Sequence, residues 1–305
     1  MNKKRVAAID LGTYNCRLVI AEVENNSLNI IHTVSKPLFL GKNLVYRGEF
    51  DSSVISKTVI FFQKMAKIIK EYDIETYRCV ATEACRKSIN ADLLVKEIKS
   101  KSGLEVEIIS AEEEAKLCLK SCSKKYLRKN QYSLVFDIGG GSTELILFNK
   151  LDSLDKFKYI SLPYGVLNLE EYIALLSEKK VVESIDRELK YFHYKYFSRV
   201  IEFNAIGCCM TATSLANIHQ KKDYYEKKLV NEIEIDYKSL KRTSEKYFNM
   251  SVEEKKKMPN IGEKFKLLDN GNFILRRIYN IFFFKNISFS DNGLRRSILN
   301  QFLTS

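Results

Sequence analysis

Residues 6–20 read VAAIDLGTYNCRLVI and residues 133–147 read SLVFDIGGGSTELIL. Each stretch sets an aspartate and a glycine-bearing turn between two apolar runs, which is the pattern of strand, tight turn and second strand. The same signal at two places in one chain marks an internal repeat and carries more weight than either copy alone. Outward from the first copy, RVAAIDLG, CRLVIAEVE and LNIIHTVS, the last two parted by an Asn-Asn-Ser turn, predict a β-meander over residues 4–35. Helical periodicity then runs from Asp51 to Tyr72, with Asp51 or Ser52 as N-cap. A strand TYRCVATEA, a helix over 90–102, a strand VEIIS and a helix opening at Ala111 follow, and this alternation is α/β. The basic connector SKKYLRKNQ (123–131) precedes the second copy, so the expected division is an N-terminal lobe 1–125 and a C-terminal lobe 126–305. After the second copy come helices, a strand RVIEFNAIG and a mainly helical remainder.

At 305 residues the chain exceeds the size at which one core usually stops growing, which agrees with two domains. An apolar share of 45% supplies cores for both, and 29% charged residues excludes a membrane-embedded or fibrous chain. The start, MNKKRVAAIDLG, is too short and too polar for a signal peptide or a spanning helix, so a cytoplasmic protein without a membrane partner is expected. Seven cysteines, an odd number without CxxC spacing, read as reduced thiols. Cys118 and Cys122 stand i, i+4 and offer half a metal site, but no second Cys/His couple accompanies them. The net charge of +12 favours an acidic partner. KKDYYEKK (221–228) and KYFHYKYFSR (190–199) interleave basic and aromatic residues as nucleic-acid binders do. Their spacing equally suits amphipathic helices with solvated lysines, and no specific nucleic-acid partner is expected.

A glycine-built turn lets backbone N–H groups converge on one concavity, and such a nest binds phosphate oxygens without a cationic side chain. Gly12, Thr13, Tyr14 and Asn15 form one candidate nest; Gly139, Gly140, Gly141, Ser142 and Thr143 form the other. A plain β-hairpin explains the first turn equally well. Three consecutive glycines flanked by Asp and Ser-Thr fit that reading poorly. Two nests facing each other across a cleft would grip a chain of phosphates. Asp10 and Asp137, ending their strands, would then sit beside those phosphates and hold a divalent cation directly or through water. Mg2+ suits such a place, since it binds few carboxylates and shares phosphate oxygens. Glu144 adds to the metal shell or orients water, or is an ordinary strand residue.

DLGTYNCRL, ATEACRKSIN, IISAEEEAKL, VFDIGGGSTEL, SLPYGVLNL and AIGCCMTATSLA occur in an order and spacing that resembles the exopolyphosphatase and guanosine pentaphosphate phosphohydrolase (Ppx/GppA) family, across nearly the whole chain. The resemblance implies the short, two-domain form of an actin-like fold (ribonuclease H-like, shared with acetate and sugar kinases, Hsp70 and actin). It implies release of terminal phosphate from inorganic polyphosphate or guanosine pentaphosphate with Mg2+, and is compatible with a homodimer. Glu114 stands where the family has the carboxylate that activates water for in-line attack. On its own, the run Glu112, Glu113 and Glu114 reads as an acidic first helical turn favoured by the helix dipole. Arg86 matches a family arginine suited to bidentate phosphate contact, and Arg17 follows the first loop similarly.

Departures from the family pattern accompany these matches. Tyr14 and Asn15 replace the usual Asn-Ser. Gly207, Cys208, Cys209, Met210 and Thr211 replace Gly-Thr-Ser-Gly-Thr, with a bulky residue for a glycine. Lys264 stands where an arginine is expected, and Arg296 and Ser297 where Glu and Gly are usual. Two other readings are open: a non-catalytic sensor of guanosine tetraphosphate or polyphosphate, which the altered 207–211 segment favours and the retention of Glu114, Asp137 and Glu144 opposes, and a sugar-kinase-like ATPase, which shares the two-loop scaffold but needs the 207–211 segment that Met210 alters.

Overall fold

The structure, a computed structural model, describes residues 4–122, 132–149, 151–153, 156–198, 200, 202–222, 224, 230–231, 233–259 and 261–303. The connector 123–131, with the division expected at 125/126, and most of the 221–228 cluster lie outside the described residues. The chain forms two units, Met1–Leu117 with Leu294–Ser305, and Cys118–Gly293. The C-terminal twelve residues thus sort with the first unit, although sequence order places them in the second lobe.

The first unit holds β1 (Arg5–Leu11), β2 (Asn15–Glu24), β3 (Ser27–Pro37), α1 (Leu44–Arg47), α2 (Ser52–Glu71), β4 (Thr76–Ala81), α3 (Glu83–Lys87), α4 (Ala91–Ser102), β5 (Glu107–Ile108) and α5 (Ala111–Ser121), which the division crosses after Leu117. Its sheet runs β3-β2-β1-β4-β5, the first three strands antiparallel and the last two joined in parallel. The period of two along β1 sends Ala7, Ile9 and Leu11 into a core with Phe62 and Met65 of α2 and Leu94 and Ile98 of α4. It sends Val6 and Ala8 to the other face, to cluster with Leu117 and with Leu294 and Ile298 of the C-terminal helix Gly293–Gln301. Asp10 lies on that second face. Asp51 occupies the N-cap position of α2, but its side chain makes no cap bond and pairs with Arg47 instead.

The strand predicted over TYRCVATEA stops at Ala81. There the Thr82 N–H returns to the Leu11 carbonyl at 3.3 Å, and the amides of Cys85 and Arg86 bond to Thr82 O, closing the short helix α3.

The second unit contains β6 (Tyr132–Ile138), β7 (Thr143–Asn149), β8 (Lys158–Leu162), α6 (Leu169–Leu176), α7 (Glu178–Phe197), β9 (Phe203–Gly207), α8 (Met210–His219), β10 (Glu234–Asp236), α9 (Tyr237–Phe248), α10 (Val252–Lys257), α11 (Phe265–Ile281) and β11 (Asn286–Phe289). Its sheet runs β10-β11-β9-β6-β7-β8. From β8 inward, β8-β7-β6-β9-β11 repeats the order and the directions of β3-β2-β1-β4-β5. The echo seen between residues 6–20 and 133–147 therefore extends through both sheets. Along α7, Val181, Ile185, Leu189 and Phe192 form a buried stripe at helical spacing. The KYFHYKYFSR segment divides accordingly: Phe192 and Phe197 enter the core, and Tyr191 and Tyr194 are exposed.

Among the described residues no helix is long and apolar enough to cross a membrane. All seven cysteines are unbridged and buried. Burial pushes the Cys85 thiol up to about 12, where it is neither nucleophile nor ready oxidant target. A chromogenic disulfide reagent at pH 8 is expected to leave the folded chain unlabelled and to titrate all seven thiols after denaturation. A rapidly reacting thiol in the folded chain would contradict the described packing.

Candidate active site

The two hairpins close alike: Gly12 N–H donates to Asn15 O at 3.0 Å, and Gly139 N–H to Ser142 O at 2.9 Å. In the second, three carbonyls are held by a single following segment. Gly139 O accepts from Val166 N at 2.9 Å, Gly140 O from Leu167 N at 2.8 Å, and Gly141 O from Asn168 Nδ2 at 2.9 Å. Across a trans peptide the next N–H points the opposite way. The N–H groups of Gly140, Gly141 and Ser142 therefore form a row on the far side, and none has an acceptor among the described residues. Buried donors are normally satisfied, so such a row points to an anionic ligand. The clamp is tight. A Cβ at Gly165 would lie 2.5 Å from Gly140 C and Gly141 N, and Gly165 N–H is itself fixed to Asn168 Oδ1 at 2.7 Å. Gly165 and Asn168 both lie in the SLPYGVLNL motif, but nothing local in that motif marks them as a clamp on a loop more than twenty residues earlier. Thr143, expected to bind phosphate, spends its hydroxyl proton on Tyr164 O at 2.7 Å.

In the first hairpin, Thr13 O accepts from Gly41 N at 2.9 Å, and Tyr14 O from Leu38 N and Phe39 N at 3.0 Å, which turns the N–H groups of Tyr14 and Asn15 to the opposite side. The Tyr14 ring stacks edge-on against Phe39 at 5.0 Å, and Asn15 Nδ2 donates to Ser35 Oγ at 2.9 Å. Both residues that depart from the family pattern are thus anchored locally.

The strand registers give the two aspartates different partners. Asp10 stands opposite Arg17, and Asp137 opposite Glu144. Directly opposed residues of an antiparallel pair share a face with Cβ atoms about 5 Å apart. Burial raises the Asp10 pKa, while Arg295 and then Arg17 pull it back. A metal at Asp10 would have to compete with both arginines, so this hairpin suits an anion better. Arg295 comes from the C-terminal helix, and nothing in the sequence pattern foretold it. Asp137 and Glu144, two carboxylates in register, suit a cation. Glu144 is buried, and its Oε1 accepts from Ser161 Oγ at 2.8 Å.

Arg86 and Glu114 meet in the first unit. Arg86 Nη2 lies 2.7 Å from Glu114 Oε2, its Nε and Nη2 donate to Glu83 Oε2 at 3.1 and 2.9 Å, and Nη1 donates to Ile109 O at 3.0 Å. Burial alone would lower the Arg86 pKa, but Glu114 and then Glu83 outweigh it and hold the guanidinium above its ordinary value. Arg86 therefore positions Glu114, with little donor capacity left for phosphate. Arg17 makes no side-chain hydrogen bond to the described residues, so its donors are not spent within the fold as those of Arg86 are. Ser110 caps α5, its Oγ accepting from Glu113 N at 3.1 Å, and Glu113 pairs with Arg78 at 3.4 Å.

In the second unit, Cys209 caps α8 and burial, then Asp137, pushes its thiol up to about 12, so no thiolate forms beside Asp137 at neutral pH. Met210 is 40% exposed at the first position of α8. Lys264 is exposed and ends the 3-10 turn Gly262–Lys264.

Residues 19–305 match the Ppx/GppA phosphatase family. The chain belongs to the Ppx/GppA phosphatase family. A bifunctional 3-dehydroquinate synthase/phosphatase of Fusobacterium nucleatum is 31% identical over 247 residues, covering 74% of this chain and 36% of that protein. Exopolyphosphatase 2 of Mycobacterium tuberculosis is 31% identical over 152 residues, 47% of this chain and 48% of that one. The matches thus span between about a third and a half of the length of these curated relatives. Among solved structures, the Ppx/GppA family member of Aquifex aeolicus superposes with a TM-score of 0.80 at 28% identity, covering 99% of this chain and 98% of that one. The fold is the α/β, actin-like one expected for a Ppx/GppA protein, with the meander and its two parallel strands present in both units.

Phosphoryl-transfer chemistry in this family generally involves a divalent cation. Among the described residues no group of three or more His, Cys, Asp or Glu is arranged to hold a metal. The Asp137 and Glu144 pair nevertheless fits Mg2+, which needs only one or two carboxylates and completes its shell with water and phosphate oxygens.

Proposed function

We propose that this Ppx/GppA protein hydrolyses phosphoanhydrides, releasing terminal phosphate from inorganic polyphosphate or guanosine pentaphosphate by in-line attack of water. The observation that carries the reading is the row of N–H groups at Gly140, Gly141 and Ser142, held by the 165–168 clamp directly after Asp137. Prepositioned backbone dipoles stabilise the charge on the equatorial phosphate oxygens without reorganising during the reaction. Gly12, Thr13, Asn15 and Arg17 take further phosphate oxygens, with Lys264 as an exposed supplementary cation. Glu114, oriented by Arg86, aligns the water and accepts its proton. Mg2+, held by Asp137 and Glu144, would neutralise phosphate charge; Asp10 is the weaker candidate ligand. Seven unbridged thiols support a reducing, cytoplasmic setting.

The test is phosphate release from long-chain polyphosphate and from guanosine pentaphosphate across a Mg2+ titration. Release is expected with at least one substrate, and Asp137→Asn is expected to raise the Mg2+ concentration for half-maximal rate by at least about tenfold. Tight binding of both substrates without release from either would reject hydrolysis in favour of a non-catalytic sensor.

A further inference from the structure

A cavity of about 440 Å³ opens in the second unit where α7 ends, and Lys156, Lys158 and Lys195 line it with Tyr196, Asn149 and Asp152. Its volume lies within the roughly 300–1,000 Å³ of small-molecule sites. Three lysines against one aspartate leave a lining charge of 3 − 1 = +2. None of the three cavity lysines forms an ion pair with a described residue. Lys195 is instead held over the rings of Tyr196 and Tyr191, 5.2 and 5.5 Å from their centroids. Three like-charged side chains around one concavity favour an anion there.

The position separates this cavity from the phosphate loop. Tyr132, also in its lining, begins β6, and Asp137 stands five residues further on, about 17 Å at roughly 3.4 Å per residue. Tyr132 and Asp137 also face opposite sides of the sheet, by the alternation of strand side chains. A ligand here touches no group assigned to the reaction.

We infer that this cavity is a second, non-catalytic anion site for an oligophosphate group, either inorganic or the phosphate tail of a nucleotide. Lysine ammoniums serve as point charges for phosphate oxygens. Tyr132 and Tyr196 are the aromatic groups of the lining that a base-bearing ligand would meet. The site stands independently of the hydrolase reading, because it shares no residue with it.

The chain contains no tryptophan, so Tyr196→Trp places a single fluorescent reporter in the cavity. Titration of this variant with tripolyphosphate and with GTP, at matched ionic strength, is expected to give a saturable emission change. Adding Lys156→Gln, Lys158→Gln and Lys195→Gln is expected to weaken it by about tenfold or more, with thermal unfolding confirming an intact fold. Equal affinity for the two probes identifies the inorganic group as the ligand; GTP binding at least tenfold tighter identifies a nucleotide. An absent or unsaturable change with both probes, or one that survives the triple lysine substitution, overturns the inference. Phosphate release is measured separately, so failure of the hydrolase reading leaves this result interpretable.

Discussion

Glu114→Gln is expected to lower phosphate release by roughly 10²- to 10⁴-fold, the usual contribution of a positioned general base. Glutamine keeps the shape and an acceptor oxygen for Arg86 but cannot take a proton from water. Arg86 retains Glu83 and the Ile109 carbonyl, so the fold should lose only about 1–3 kcal/mol. The informative comparison is Glu113→Gln, one residue earlier. Glu113 lies at the position whose amide Ser110 caps, and its carboxylate pairs with Arg78. If the acidic run served only the helix dipole, the two substitutions would act alike and weakly, by less than about 1 kcal/mol each. The proposed chemistry requires them to part: Glu113→Gln near wild-type turnover, Glu114→Gln almost none. Initial rates with both substrates, beside thermal unfolding of both variants, decide between these outcomes. Equal and substantial activity in the two variants would remove Glu114 from the reaction.

The contrast between these glutamates shows what the sequence could disclose. The hairpins were legible because they are local: an aspartate and a glycine turn between apolar runs fix strand, turn and strand with no distant help. The partners of Arg86 were not legible, since they depend on a short helix at 83–87 whose first two residues fall at the end of the stretch 76–84 that reads as strand. Nor was the environment of Asp10, which receives Arg295 from the other end of the chain. Identical strand burial around Asp10 and Asp137 hides different electrostatics, and only the pairing register, arginine opposite one aspartate and glutamate opposite the other, tells the two hairpins apart. The clamp on the glycine loop also arises from contacts that composition does not encode, although its residues stand in a visible motif.

That clamp makes Gly165→Ala the second substitution of large expected effect. The added Cβ would meet Gly140 C and Gly141 N at 2.5 Å and Gly139 O at 2.6 Å. All three are backbone atoms, so no rotamer change relieves the clash. Either the loop moves away from the 165–168 segment or that segment retreats, and both weaken the bonds from Val166 and Leu167 that aim the N–H row. Overpacking of this kind costs about 1–3 kcal/mol. A displacement of about 1 Å in a phosphate-positioning group costs on the order of 10²-fold in rate. Gly165→Ala is therefore expected to fold, to unfold a few degrees below wild type, and to lose about 99% of phosphate release. Gly103→Ala provides the control: its φ of +75° brings backbone strain, but nothing lies within 4 Å of the new Cβ. It should lose stability without losing rate. Wild-type turnover in Gly165→Ala would mean that the glycine loop does not depend on its clamp, and the N–H row would no longer support the assigned reaction.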